Sequence, residues 1–293
     1  ESGLGGRELL CAQVAANEVA GRFGASVVLG PQNGQLWTHI HAPAAACAGA
    51  RLLELDAQAT AHAMAISLYQ PPFAMWPGFM GPDAKLLSAS MPARDGLFAA
   101  RLASWGLTGP LDILDAATGF GAHFAHCFLP AMFSGFGKAW VTDTLSYKIH
   151  PGCAYIHSAL DALFAVMAEY ESTHGRRLEP ADVVEATVRT HLLATEMDRL
   201  GTSQPGDPLT PVRVNFSLKN SLALALTAGK LTPAELGEEE LAARRETVEA
   251  TAGKIRVEHD WSMTLALFER VTEHLPLNAL LGVWRLSKRR RAA

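Results

Sequence analysis

The stretch S-Y-K-I-H-P-G-C-A-Y-I-H, residues 146–157, marks the point where the sequence pattern changes from helical segments alone to helical and β-prone segments. Helical spacing or small-residue content comes before it, at residues 7–23, 42–55, 57–69 and 93–105. β-prone segments come after it, at residues 183–190, 211–216 and 254–259, with helical segments between them. We therefore predict a mixed α and α+β fold, in which a mainly helical domain (1–145 and 263–293) carries an inserted α+β domain (146–262).

Composition excludes several classes of protein. The 293 residues are 49% hydrophobic and 18% charged, which is enough apolar material for a sizeable core. A net charge of −4 offers no basic field for nucleic acid, and charged residues or histidines interrupt every long apolar run, so we expect no membrane span. The four cysteines are scattered and form no C-x-x-C pair, which favours a reduced, cytoplasmic protein.

Residues 146–157 also contain the side chains that are most informative about function. Pro151 and Gly152 predict a tight turn before a helix over 154–171. Backbone N–H groups at that helix start, with Lys148 beside them, would form a cationic niche for a carboxylate, and His157 lies one turn into the helix. The alternative interpretation makes Lys148 a surface charge and His157 a core histidine bonded to a carbonyl.

Two further segments hold candidate site residues. His39 and His41 lie in W-T-H-I-H, and their spacing puts both on one side of the chain if the segment is extended. No third ligand follows at zinc spacing, so we predict no metal site and favour acid–base chemistry for the pair. The loop 70–82 is apolar and contains Trp76 and Met80, which predicts that it packs under another segment or lines a pocket.

Several motifs share one order and spacing with a known family. They are G-P-D-A-K-L-L-S-A-S-M-P-A-R-D-G-L-F-A-A-R-L-A-S-W-G-L-T-G-P (81–110), A-A-A-C-A-G-A-R-L-L-E-L-D (44–56), Y-K-I-H-P-G-C-A-Y-I-H-S-A-L-D-A (147–162) and N-F-S-L-K-N-S-L-A-L-A-L-T-A-G-K-L (215–231), followed by K-I-R-V-E-H-D (254–260). The chain resembles the 2-methylcitrate dehydratase and cis-aconitate decarboxylase family, also called MmgE/PrpD, which includes epimerases.

This resemblance implies an all-helical domain built from both ends of the chain, an α+β lid between them, and a homodimer. It also implies chemistry without metal or cofactor on small polycarboxylic acids, by dehydration, decarboxylation or epimerisation. Lys85, Lys148 and His157 match the family's lysines and histidine. A proton removed next to a carboxylate leaves negative charge, which lysines stabilise, and a histidine is a suitable base.

The departures from the family pattern are equally specific. Cys153 stands where the decarboxylases have a histidine, and Asn220 replaces a tyrosine in the segment that begins at Ser217. The family's N-terminal helices do not precede Glu1, so we expect part of the helical domain to be missing. The candidate catalytic residues are Lys85, Lys148, His157, His39 and His41. The candidate substrate contacts are Tyr147, Cys153, Asn220, Ser217, Trp76 and Met80.

Three functions remain open at this stage. The first is a metal-free lyase or isomerase that acts on a small carboxylic acid or carbonyl compound. The second is a repurposed relative that dehydrates, isomerises or cyclises a larger apolar intermediate, as the loop 71–80 suggests, because apolar walls favour apolar ligands. The third is a non-catalytic or partial subunit that needs another chain. None of the three calls for nucleic acid or a membrane as a partner.

Overall fold

The computed structural model describes residues 3–27, 38–72, 74–75, 78, 80, 82–125, 128–201 and 207–274, with side chains as far as Arg270. Helices dominate these ranges, and their only strands form one parallel pair. The helices are α1 (Gly6–Ser26), α2 (Thr38–Leu52), α3 (Ala57–Tyr69), α4 (Leu87–Ser104), α5 (Phe120–Phe124), α6 (Ala154–His174), α7 (Leu192–Gly201), α8 (Pro211–Asn215), α9 (Leu218–Ala228), α10 (Glu238–Ala252) and α11 (Trp261–His274). The strands are β1 (Ala186–Thr190) and β2 (Ile255–His259).

The described residues divide into two compact units. The first unit contains the residues up to Gly78 and residues 86–146. The second contains residues 147–274 together with the short segment from Met80 to Lys85, although that segment lies in the chain between α3 and α4. The predicted return of residues 263–293 to the helical domain stays a prediction, as does the inserted lid. Residues 275–293 lie outside the described residues, and α11 groups with the second unit.

Close helix packing builds the first unit. The Ala-rich helix α2 packs against α1, α3 and α4, as its small side chains predict. The contact with α4 is the tightest, because a Cβ at Gly96 would lie 2.1 Å from the carbonyl oxygen of Ala42. Helix α3 begins where the sequence predicts, since the side chain of Asp56 accepts a 2.7 Å hydrogen bond from the amide of Ala59.

A buried ion pair fastens α1 to the loops after α5. Arg22 and Glu18 are nearly inaccessible to solvent, and Nε of Arg22 donates to Glu18 at 2.6 Å. The Arg22 guanidinium also donates to the carbonyls of Met132, Ser134 and Ala139. All five guanidinium donors of an arginine need partners in a buried site, so this cluster fixes the path of the chain between 132 and 139.

The second unit encloses its own core. Ile156 and Leu160 of α6 pack with residues of α9 and α10 and with Ile255 of β2. The two strands pair in parallel from Ala186–Ile255 to Thr190–His259, and helices α7 to α10 make the crossover between them.

Two local predictions differ from the structure. Residues 211–216 are not a strand: Pro211 is the first residue of α8, and the side chain of Thr210 caps it by accepting from Arg213. A capping threonine followed by proline is a strong helix start, and here it outweighs the valines of P-V-R-V-N-F. Pro110 also predicts the start of a short helix within residues 107–118, but the structure has turns there.

Candidate active site

The turn before α6 forms the frame of the site. Gly152 has a φ of +116°, which side-chain-bearing residues rarely adopt, and a Cβ there would lie 3.3 Å from the carbonyl oxygen of Asn215. The next residue, Cys153, is the N-cap of α6, and its amide donates to that same oxygen at 2.9 Å. The predicted Pro-Gly turn is therefore present and is tied to the end of α8.

Two lysines from distant parts of the chain meet at this turn. Lys148 is exposed, and its Nζ donates to the carbonyl of Gly152 at 2.8 Å. Lys85 is half-buried at the end of the short segment that joins the second unit, and its Nζ lies 5.3 Å from the centre of the Phe216 ring. Burial lowers the pKa of Lys85, a charge on Cys153 acts in the opposite direction, and Lys148 lowers it further.

His157 completes this cluster from the first turn of α6. Burial lowers its pKa, and the neighbouring His150 and Lys148 lower it further, against smaller opposing effects of Asp161 and the Gly152 carbonyl. Its ring centre lies 5.7 Å from that of His150. Within the described part of the chain, Nε2 of His157 is buried and has no hydrogen-bond partner. A neutral imidazole with an unsatisfied nitrogen is therefore available for proton transfer or for a ligand.

A buried acid that the sequence analysis missed lies beside this cluster. Asp198 of α7 accepts a 2.6 Å hydrogen bond from the amide of Leu218, and burial raises its pKa. Burial and then the charges of Asp198 and Cys153 raise the pKa of Tyr155. The sequence does hold a signal for Asp198, since it occupies the buried face of α7 with Ala194 and Gly201, where an aliphatic residue is normal.

Two candidate substrate contacts have a structural role at the start of α9. Ser217 is the N-cap of this helix, and its hydroxyl accepts from the amide of Asn220 at 3.3 Å. Ser217 is buried and Asn220 is half-buried. Capping already occupies the hydroxyl of Ser217, so Asn220 is the member of the pair whose side chain is better placed to meet a ligand.

The remaining candidates fall into different surroundings. His39 and His41 belong to α2 of the first unit, and this segment is helical instead of extended, so residues two apart do not share a face. His39 is buried against the rings of Phe120 and Phe124. In the second unit, Tyr147 is 87% exposed and Met80 is buried, whereas Trp76 lies outside the described residues.

The second unit also contains an apolar groove of about 460 Å³ between α6, β1 and α9. None of the candidate site residues lines it. Among the described residues, no group of three histidines, cysteines or acids is arranged to hold a metal ion. No described helix is long and apolar enough to cross a membrane.

The comparison with protein families covers most of the chain. The model of the MmgE/PrpD N-terminal domain matches residues 1–129, and the model of the MmgE/PrpD C-terminal domain matches residues 150–274. The first range includes Lys85 and the second includes His157, whereas Lys148 lies between the two ranges. The chain belongs to the MmgE/PrpD family. Membership indicates an enzyme of the dehydratase or lyase type. No curated protein matches the sequence.

Proposed function

We propose that the chain is a lyase or isomerase that moves a proton next to a carboxylate or carbonyl group of a small acid. The observation that carries the proposal is that Lys85, Lys148 and His157 belong to one unit, where the charge of Lys148 acts on both of the others. These residues lie near the N-terminal end of a long helix, and the positive end of a helix dipole favours a bound anion.

The two lysines are proposed to bind the acid and stabilise charge. Lys148 is exposed, so its ammonium can meet a carboxylate that enters from solvent, while Lys85 is half-buried. When the proton leaves the carbon next to the carboxylate, the electron pair of the broken C–H bond spreads onto the carboxylate oxygens. Two ammonium groups held close to those oxygens lower the energy of this state without a metal ion.

His157 is proposed as the base that takes this proton. A lowered pKa keeps the imidazole neutral at pH 7, and Nε2 has no hydrogen-bond partner in the described residues. A neutral imidazole of moderate basicity suits proton abstraction near neutral pH. Tyr147, Cys153, Asn220 and Met80 remain proposed substrate contacts.

Exchange of carbon-bound hydrogen in D₂O tests this proposal without knowledge of the complete reaction. Small di- and tricarboxylic acids are incubated with the protein, and NMR measures loss of the proton next to each carboxylate. We expect Lys148→Ala and His157→Asn to slow the exchange by about 10²-fold or more. Lys230→Ala is the matched control, because this exposed lysine of the same unit pairs with Glu235. Exchange at the native rate in both site variants would reject the assignment.

Three further expectations belong to this proposal. A homodimer and a cytoplasmic location stay predictions, and light scattering of the purified chain tests the first. The alternative of a larger apolar substrate also stays a prediction. It would gain support if acids with long apolar substituents exchanged faster than citrate-like acids.

A further inference from the structure

Asn215 to Leu218 form a four-residue segment that joins α8 to α9 and contacts the start of α6. The carbonyl of Asn215 accepts from the amide of Cys153 at 2.9 Å. The carbonyl of Phe216 accepts from the hydroxyl of Tyr155 at 2.8 Å. Two successive carbonyls are thus held by the first residues of the helix that carries His157.

Helix α7 contacts the same segment. Asp198 accepts the amide of Leu218, as described above. Gly201 lies so close to the segment that a Cβ there would be 1.8 Å from the carbonyl oxygen of Phe216. The Phe216 backbone is therefore held between α6 and α7, and its ring direction is set by a backbone that has little freedom to move.

The half-buried ring of Phe216 faces the ammonium of Lys85. The distance of 5.3 Å from Nζ to the ring centre is within the range of a cation–π contact. Charges on Cys153 and Lys148 also act on Lys85. Burial and Lys148 both disfavour the charged form of Lys85, whereas the negative face of an aromatic ring favours it.

We propose that Phe216 is a positioning residue, which holds the Lys85 ammonium over its ring and gives the positive charge of the site a fixed place. The inference rests on the proposed function in one respect, since Lys85 is there one of the two lysines that bind the substrate. The contact itself is a property of the folded chain and can be measured without any substrate.

Carbon-13 dimethylation of lysines keeps their charge and gives each one an NMR signal that follows its protonation. The Lys85 signal is assigned by its absence in Lys85→Arg. We expect Phe216→Leu, which keeps an apolar side chain but removes the aromatic face, to lower the pKa of Lys85 by about half a pH unit or more. Phe216→Tyr, which keeps the face, should leave it within about 0.2 pH unit of native.

An unchanged Lys85 titration in a folded Phe216→Leu protein would overturn the inference. If that variant does not fold, Phe216→Trp decides, because the indole is the strongest cation–π partner and should raise the pKa of Lys85. A fall with Trp would contradict the inference equally. Suppose that Lys85→Ala still exchanges the carbon-bound hydrogen of the substrate at the native rate, while Phe216→Leu shifts the titration of Lys85. That result would reject the proposed role of Lys85 in the reaction and leave the contact between Phe216 and Lys85 supported.

Discussion

The amide of Leu218 donates a 2.6 Å hydrogen bond to Oδ1 of Asp198, which is buried in α7. The bond joins residues twenty positions apart and anchors the first turn of α9. It also fixes the backbone beside Phe216, whose ring centre lies 5.3 Å from Nζ of Lys85. A carboxylate that no motif marks thus supports the element on which the lysine cluster is built.

Replacing Asp198 should destabilise the fold according to how well the new side chain accepts this hydrogen bond. We expect Asp198→Ala to lower the free energy of unfolding by about 1–3 kcal/mol, because a buried amide loses its partner. Asp198→Asn retains an acceptor and should lose less. Urea unfolding followed by circular dichroism measures both. Equal losses would show that the hydrogen bond is not the relevant contact.

The pH dependence of the Asp198→Asn effect has a defined sign. Burial raises the pKa of Asp198, so the folded protein binds this proton more tightly than the unfolded chain. The contribution is fully present below the unfolded value of about 3.9 and is lost as pH rises through the folded value. Stability of the native protein relative to Asp198→Asn should therefore fall as pH rises from 4. A rising difference would contradict the burial of the charge.

Lys148→Ala should raise the pKa of His157. Burial is the main cause of its lowered pKa, and the charge of Lys148 adds to it, so removing the ammonium should move the pKa of His157 upward. Titration of the His157 ring protons by NMR measures the change. Asp161→Asn is the opposite control, because this carboxylate favours the charged ring, and its loss should lower the pKa of His157. A shift of the same sign in both variants would contradict the arrangement.

Gly96→Ala should weaken the packing of α2 against α4. The added methyl group would lie 2.1 Å from the Ala42 carbonyl oxygen, so the helices must separate at a cost of about 1–3 kcal/mol. Thermal unfolding measures the loss. Gly6→Ala is the matched control, since this glycine begins α1 with nothing within 4 Å of the new Cβ. Equal melting temperatures for the two variants would show that α2 and α4 can accommodate the added methyl group at Gly96 without loss of stability.

Breaking the pair of Arg22 and Glu18 from one side should cost more than replacing both residues. Arg22→Met leaves a buried carboxylate without its guanidinium, for which about 3–5 kcal/mol is expected. The double variant Arg22→Met, Glu18→Met removes both charges and should recover much of the loss. Unfolding measurements on the single and double variants give the coupling energy. A double variant as unstable as the sum of the single variants would show no coupling.

Acid should weaken the same ion pair. Burial raises the pKa of Glu18, but hydrogen bonds from Arg22 and the Thr142 amide outweigh it, so the net shift is downward. Stability from Glu18 is therefore present above its unfolded pKa of about 4.3 and is lost as pH falls through the folded value. The stability difference between native protein and Glu18→Gln should shrink below pH 4. A difference that grows in acid would contradict this shift.

Local signals in the sequence predict much of the secondary structure. Residues 57–69 match α3 because an aspartate cap and two prolines mark its ends. The segment 211–216 fails because its valines favour a strand, while Thr210 and Pro211 fix a helix start. Strands at 183–190 and 254–259 are present in shorter form, and only pairing across the crossover decides their ends.

The sequence predicts only some residues of the candidate site, because local motifs do not show which side chains meet in space. The family motifs point to Lys85, Lys148 and His157, and the structure groups all three in its second unit. Phe216 is identified only by its tertiary contacts, and the helical spacing of Asp198 with Ala194 and Gly201 marks it as buried without showing what it contacts. The pairing of His39 with His41 depends on an extended backbone, and α2 removes that condition.

The segment from Met80 to Lys85 has a practical consequence for dissecting this protein. A gene cut after residue 146 would leave the C-terminal piece with Lys148 and His157 but without Lys85 and its neighbours. That piece would also lack Met80, which is 2% accessible in the intact chain. An assay of such a fragment would test the proposed site without Lys85, so residues 80–85 and 147–274 both belong in any fragment that represents the second unit.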